Sequence, residues 1–234
     1  MFRKKLSLYF SGANIRFFSP RYTLLCYYFH NYCDFFHTFT VAMILDIHTH
    51  NAQTHAQTID TVGIHPWKAQ TGDLAEVKRL APSVDAIGEI GLDYACDTPR
   101  DVQIEVFRAQ LAIAKRLEKP VVLHCVRAFE DIIKVVGEYR LSAVIFHGFI
   151  GSTEQAQRAI RQGYYLSFGE RTFRSPKTIE AMRSTPLSRL FVETDESVTL
   201  IEKIYTQIAE LRGIKIDELL KATEENFKKI FQKE

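Results

Sequence analysis

The run Met43-Ile44-Leu45-Asp46-Ile47-His48-Thr49-His50 constrains this chain more than any other stretch, because a short apolar segment there ends abruptly in two histidines. A buried parallel strand delivers side chains to its carboxyl end in this way. Residues two apart on a strand share a face, so His48 and His50 can bite one metal ion. Taken alone, the pair is equally compatible with a surface or core accident. Its meaning comes from repetition, since four further strand-like runs end in His, Glu or Asp.

The pattern continues in order along the chain. A strand is predicted over 61–67, reaching His65 and closed by Pro66, then a helix over 68–80. The strand predicted over 86–94 carries the acid Glu89 inside an apolar, glycine-containing run. A helix over 100–117 follows, with Val102, Val106, Leu111, Ile113 and Ala114 as its apolar side. Strands are predicted over 121–125 (ending at His124-Cys125), 142–149 (containing His147), 164–168 and 190–195 (ending at Asp195). Helices are predicted over 128–139, 153–162 with Gly163 as the stop, 175–184, 198–212 and 217–231. Strand and helix alternate and the strands are almost continuously apolar, which implies an α/β protein with a parallel sheet covered by helices. An open doubly wound sheet is one solution. A TIM-like (β/α) barrel, shortened or distorted to about seven strands, is the better one, because closure brings every strand's carboxyl end to one mouth.

The length of 234 residues suits one domain, with 46% hydrophobic and 25% charged residues. Cys26, Cys33, Cys96 and Cys125 lack the spacing of a disulfide framework or a zinc finger, so a reducing, cytoplasmic setting is expected. Residues 1–42 are unlike the rest. They hold 13 aromatics with no helical or strand period, and five basic residues against one acid, Asp34, so they carry +4 of the overall +2 and leave the remainder at −2. They read as a non-core leader preceding a core over 43–234. Two explanations stand: Met43 is the true start and the leader is mis-assigned, or the leader is a membrane-surface anchor. The interruptions at Ser11, Gly12, Asn14 and Arg16 cut short any signal peptide. No membrane association is expected of the core, and its slightly acidic balance does not predict stable nucleic-acid binding.

Six histidines lie in the core, and all but His55 end predicted strands. Singly, each has a bland explanation. His124 and His147 could be hydrogen-bonded core residues, Glu89 could pair with an arginine, and Asp195 could cap the helix after it. Converging on one barrel face, four histidines and two carboxylates would be costly without a cation.

The motifs HTH, GIHPW, GEIGLDY, KPVVLHC, FHGFIGS and FVETD, in this order, resemble the TatD family of metal-dependent hydrolases and nucleases in the amidohydrolase superfamily. The resemblance spans 43–231. It implies that His48, His50 and Asp195 bind one divalent metal, that Glu89 bridges to a second, and that His124 and His147 complete that second site. It also implies His65 as a substrate contact, though an imidazole stacked under Trp67 would be a purely structural alternative. Two ions roughly 3.5 to 4 Å apart can clamp a phosphodiester and activate water for in-line attack. Glu89 and Asp195 are then the catalytic residues, Asp195 being able both to ligate and to accept the proton of the attacking water, two roles that the sequence does not separate. Mixed imidazole and carboxylate ligation admits Zn, Mn, Mg or Ni.

Three departures weigh on the substrate. The family commonly has Arg two positions after the fourth-strand histidine, where Val126 stands here and Arg127 follows, which leaves open whether Arg127 is a substrate-binding residue. Glu196-Ser197-Val198-Thr199 replaces a longer loop, and the stretch between His50 and Thr61 is too short for a full crossover. The leading expectation is a two-metal phosphodiesterase or deoxyribonuclease acting on nucleic acid, DNA ahead of RNA. The alternatives are a hydrolase of a small ester, amide or phosphoester in the same dinuclear site, and a non-catalytic metal-binding scaffold.

Overall fold

Six parallel strands form one sheet in simple chain order: β1 (Thr61–Val62), β2 (Ala86–Asp93), β3 (Val121–Val126), β4 (Val144–Phe146), β5 (Tyr165–Phe168) and β6 (Leu190–Val192). The computed structural model describes residues 43–51 and 54–232, so the leader expected over 1–42 lies outside the described residues. Helices α1 (Leu74–Leu80), α2 (Arg100–Arg116), α3 (Phe129–Gly137), α4 (Thr153–Arg161) and α5 (Pro176–Ser184) connect successive strands, and α6 (Ile201–Arg212) and α7 (Ile216–Phe231) close the chain. No helix among the described residues is long and apolar enough to cross a membrane.

Side-chain alternation separates two apolar layers. Val144, Phe146, Leu166, Phe168, Leu190 and Val192 pack with the helices in the larger cluster. The intervening Ile145, Tyr165 and Phe191 join Leu45, Ile47, Phe227 and Ile230 on the opposite face. Two residues further along that face stand His147, Ser167 and Glu193, all buried. The interior therefore turns from apolar to polar toward the strands' carboxyl ends, as a barrel with a site at that end requires.

The expected strand over 43–50 is not a regular ladder. It touches Gln57 through an isolated bridge at Leu45 and touches the end of β6 through another between Thr49 and Asp195. The physical reason is Asp46. Its carboxylate, fully buried, accepts the Thr194 N–H at 2.9 Å and the Thr194 hydroxyl at 2.6 Å, where a regular parallel ladder would offer a main-chain carbonyl. Main-chain bonds resume on either side, from Ile47 N to Val192 O, from Asp195 N to His48 O and from His50 N to Asp195 O. The six-stranded sheet is thus extended beyond β6 by a seventh, stitched run, and among the described residues no strand ladder joins that run to β1, so the shortened barrel is left unclosed.

Other boundaries shift for local reasons. β1 stops at Val62, well before the expected end, because Gln110 of α2 takes both main-chain groups of Ile64, accepting its N–H at 2.6 Å and donating to its carbonyl at 3.1 Å. The expected helix over 68–80 is divided into a 3-10 turn at Pro66–Lys68 and α1, whose start is set by Asp73 accepting the Ala75 N–H at 2.7 Å. Helix α2 buries Leu111, Ile113 and Ala114 as expected and packs a half-buried Val106 against the core, and its inner face adds Gln103, Phe107 and Gln110. Gln103 repeats the action of Gln110 at the end of β2, accepting the N–H of Asp93 and donating to its carbonyl. Ser152 and Gln155 form a reciprocal capping box on α4, and Gly163, as expected, follows its end with a positive φ of 83°. The last expected helical stretch from 198 begins only at Ile201, leaving Val198 almost wholly exposed.

Candidate metal centre

Glu89 is the centre of the site, and the backbone around it explains how an acid comes to stand inside an apolar strand. Ile87 pairs with Val121 while Ile90 pairs with Leu123, so β2 carries one residue more than β3 over the interval containing Gly88 and Glu89. Such a bulge re-aims a side chain. Gly91 makes the tight approach of the two strands possible: at its φ of 143° a Cβ would lie 2.1 Å from the carbonyl oxygen of His124.

Four of the predicted strands' ends converge on the Glu89 carboxylate. Its Oε1 lies 2.7 Å from His124 Nδ1, 2.5 Å from His147 Nε2 and 3.4 Å from His65 Nε2. Its Oε2 lies 3.3 Å from His48 Nε2 and 3.8 Å from His50 Nε2. Asp195 Oδ1 completes the His48 side, 3.9 Å from His48 Nε2 and 3.7 Å from His50 Nε2. No arginine or lysine of the described residues pairs with Glu89, and Asp195 does not cap α6, whose first turn lacks a side-chain cap. His55 stands apart and pairs with Glu202. Arg127 lines the cavity over the site, about 940 Å³ in volume, and both Arg127 and Asp195 adopt the left-handed conformation with φ of 53° and 54°. Two non-glycine residues in that region at one mouth are a local cost that the surrounding hydrogen bonds must hold in place.

The neighbours of each imidazole fix which nitrogen is available. His124 turns Nε2 to Asp93 Oδ2 at 3.1 Å, so that N–H donates there and the Nδ1 lone pair faces Glu89. His147 turns Nδ1 to Glu193 Oε1 at 3.5 Å, leaving Nε2 for the centre. His65 is different: its Nδ1 accepts the Trp67 main-chain N–H at 3.3 Å, so in the neutral ring Nε2 carries the proton. His65 therefore faces the site as a donor rather than a lone pair. It is also packed edge-on against Trp67, ring centroids 4.6 Å apart, so the stacking expected as an alternative is present together with its approach to Glu89.

The electrostatics are those of a site short of positive charge. Burial opposes ionisation of Glu89, yet His124, His147, His48 and His65 hold its carboxyl far below the usual range. Burial would depress His147, but Glu193 and Glu89 on either side push it up to about 10. Burial raises Asp195 above an ordinary aspartate, and the nearby Glu193 charge adds to this. Buried His48 Nε2 has no hydrogen-bond partner although it faces two carboxylates, and both Glu193 oxygens are likewise unsatisfied. An orphaned imidazole nitrogen aimed into a cluster of carboxylates fits a cation. Three overlapping groups have ligand atoms within 4.8 Å of one another: His48, His147 and Asp195; His48, His50 and Glu89; His65, Glu89 and His124.

Asp46, Asp93 and Glu193 support this centre, and none of them is assigned chemistry from the sequence. The signal was present, since period two places Asp46 with His48, Asp93 with Glu89, and Glu193 with Asp195. What those spacings do not tell is which partner each acid meets.

Similarity to known proteins extends over most of the chain. The model of a family described as TatD related DNase matches residues 35–232, a span that begins before Met43. The chain is 37% identical over 194 residues to the uncharacterized metal-dependent hydrolase YabD of Bacillus subtilis, covering 73% of this chain and 76% of that protein. It is 33% identical over 205 residues to the 3'-5' ssDNA/RNA exonuclease TatD of Erwinia amylovora, covering 73% of this chain and 77% of that one. Among solved structures, the TatD homologue YJJV of Escherichia coli K12 superposes with a TM-score of 0.69 at 27% identity, covering 76% of this chain and 78% of that chain.

Proposed function

The chain belongs to the family of TatD-related DNases, and from that premise we propose that it is a metal-dependent phosphodiesterase that cuts single-stranded nucleic acid, DNA in preference to RNA. One observation carries the reading: Glu89 divides its two oxygens between separate sets of imidazoles, His124 and His147 on Oε1, His48 and His50 on Oε2. A carboxylate shared in this way suits two cations. In this reading His48, His50 and Asp195 would hold one, His124 and His147 would hold the other, and Glu89 would be shared between them. Zn, Mn, Mg and Ni all accept such ligands. When bound, a pair of divalent cations lowers the pKa of water and neutralises charge building on a phosphoryl group.

The chain's own residues do the rest. Asp93 orients the imidazole of His124 through its Nε2, and the buried Glu193 faces His147 Nδ1 at 3.5 Å. Asp195, its proton affinity raised by burial and by Glu193, accepts the proton of the attacking water. His65 offers its Nε2–H to a phosphate oxygen, and Arg127, at the cavity wall, supplies a positive charge to the same group.

End-labelled single-stranded DNA and RNA incubated with purified full-length protein and each of these metals test the assignment. Stepwise shortening that needs metal and disappears in Glu89→Ala is the expected result. Oligonucleotides left intact by a protein that hydrolyses small phosphoesters or esters would move the activity to that smaller substrate class.

A further inference from the structure

Trp67 is the single tryptophan of the chain and stands at the wall of the metal-centre cavity with 60% of its surface exposed. Large aromatics are ordinarily buried, and an exposed one that is also held rigid invites a reason. Trp67 is held from two sides. Its indole Nε1–H donates to Asp93 Oδ2 at 2.7 Å, and its carbonyl accepts the Thr98 hydroxyl at 3.3 Å. Pro66 fixes the turn before it. The ring packs edge-to-face with His65, and its centroid is 6.2 Å from that of His124.

The charges around it distinguish possible occupants. Lys68, Arg127, Arg171 and Lys177 line the same cavity, and no carboxylate of the described residues forms an ion pair with any of them. Two of the acids on that wall are already engaged, Asp131 by the Tyr94 hydroxyl at 2.5 Å and Glu130 by Arg158 at 2.8 and 2.7 Å. Cations outside any ion pair, in one cavity with an exposed aromatic face held by hydrogen bonds, are what a strand with phosphates on one edge and flat bases on the other would meet.

Resting on the phosphodiesterase reading, we propose that Trp67 is a specificity-determining residue, a platform on which the base next to the scissile phosphate stacks. Because Asp93 accepts from both Trp67 Nε1 and His124 Nε2, the stacked base and the metal-facing imidazole share one carboxylate. Base occupancy is thereby tied to the orientation of His124. The platform acts on any base, since each has a flat face, and it rejects substrates that offer a phosphate without one.

A lone tryptophan makes the test direct. Metal-loaded full-length protein is titrated with a hydrolysis-resistant phosphorothioate oligothymidylate and with an abasic chain of the same length while indole fluorescence is followed. Saturable quenching by the first and none by the second is expected. In parallel, Trp67→Ala should raise KM for ordinary single-stranded DNA roughly five- to a hundredfold with a smaller change in kcat, and Trp67→Phe, which keeps a ring, should lie nearer the natural protein. If the natural protein digests DNA while neither chain, or both alike, quenches the indole and Trp67→Ala keeps its KM, the platform is wrong and the nuclease stands. If it digests neither DNA nor RNA, the nuclease reading fails and the platform with it.

Discussion

Glu89, Asp93 and His124 stand on β2 and β3, which are paired from Ile87 with Val121 as far as Asp93 with Val126. His48, His50 and Asp195 stand on the seam between residues 43–50 and the end of β6, where the named pairings are isolated bridges and Asp46 replaces a main-chain acceptor. The same centre is therefore carried on one side by a ladder whose one register shift is the bulge at Glu89, and on the other by a stitched junction. A ladder fixes its residues through many cooperative bonds, whereas a junction with few bonds opens at lower cost. The ladder side is organised before any ligand arrives. The seam side gains most from one, because a cation held by His48, His50 and Asp195 would tie residues far apart in sequence.

The largest expected effect ignores the difference between the two sides. Glu89→Ala removes the one group common to both, and activity should fall about a thousandfold or more in a steady-state nuclease assay while circular dichroism stays unchanged. Equal activity in the variant would show that the two halves do not meet at Glu89.

The next prediction isolates the seam through Asp46. Burial, opposed in part by its bonds to Thr194, pushes this carboxyl from 3.8 up to about 6. The folded state then holds its proton more tightly than the unfolded chain, so its contribution is complete below about pH 4 and is lost as pH rises through about 6. At about 1.4 kcal/mol per pH unit the loss is bounded at about 3 kcal/mol. Urea unfolding of chelator-treated protein from pH 4 to 7 should show that decline, and Asp46→Asn should remove it. An unchanged slope in the variant would assign the pH dependence elsewhere.

Asp93→Asn addresses the ladder side. The change leaves an acceptor for Trp67 but weakens the hold on His124 Nε2, and metal affinity measured by calorimetry should fall about ten- to a hundredfold. A full loss of both metal equivalents would mean that the two sides are not separable. The smallest effect is dynamic: amides of Ile47, His50 and Asp195 should exchange roughly tenfold faster than those of β3 in metal-free protein, and metal should slow the first group far more than the second. Equal protection of both groups without metal would remove the distinction between seam and ladder.

The legibility of the chain follows the same division. The strands of the ladder were visible as apolar runs, and His124, His147 and Glu89 were visible as polar interruptions at or near their ends. The helices were visible wherever local chemistry fixes them, as at the Ser152–Gln155 box and Gly163. The seam was not, because its irregularity depends on Asp46 meeting Thr194, 148 residues away. The early end of β1 has a similar cause. Gln103 and Gln110 sit two turns apart on α2 and look like ordinary polar residues until they are found bonded to the main chain where strands stop, at Asp93 and at Ile64 just past β1.

By itself, the sequence determined the alternation of strand and helix, the parallel sheet and the residue types gathered at its carboxyl ends, because periodicity and apolar runs are local properties. Tertiary structure decided which nitrogen of each imidazole faces the centre and how Glu89 apportions its oxygens. It also decided which acids stand behind the ligands. Those depend on hydrogen bonds between distant segments, whose directions no local pattern encodes.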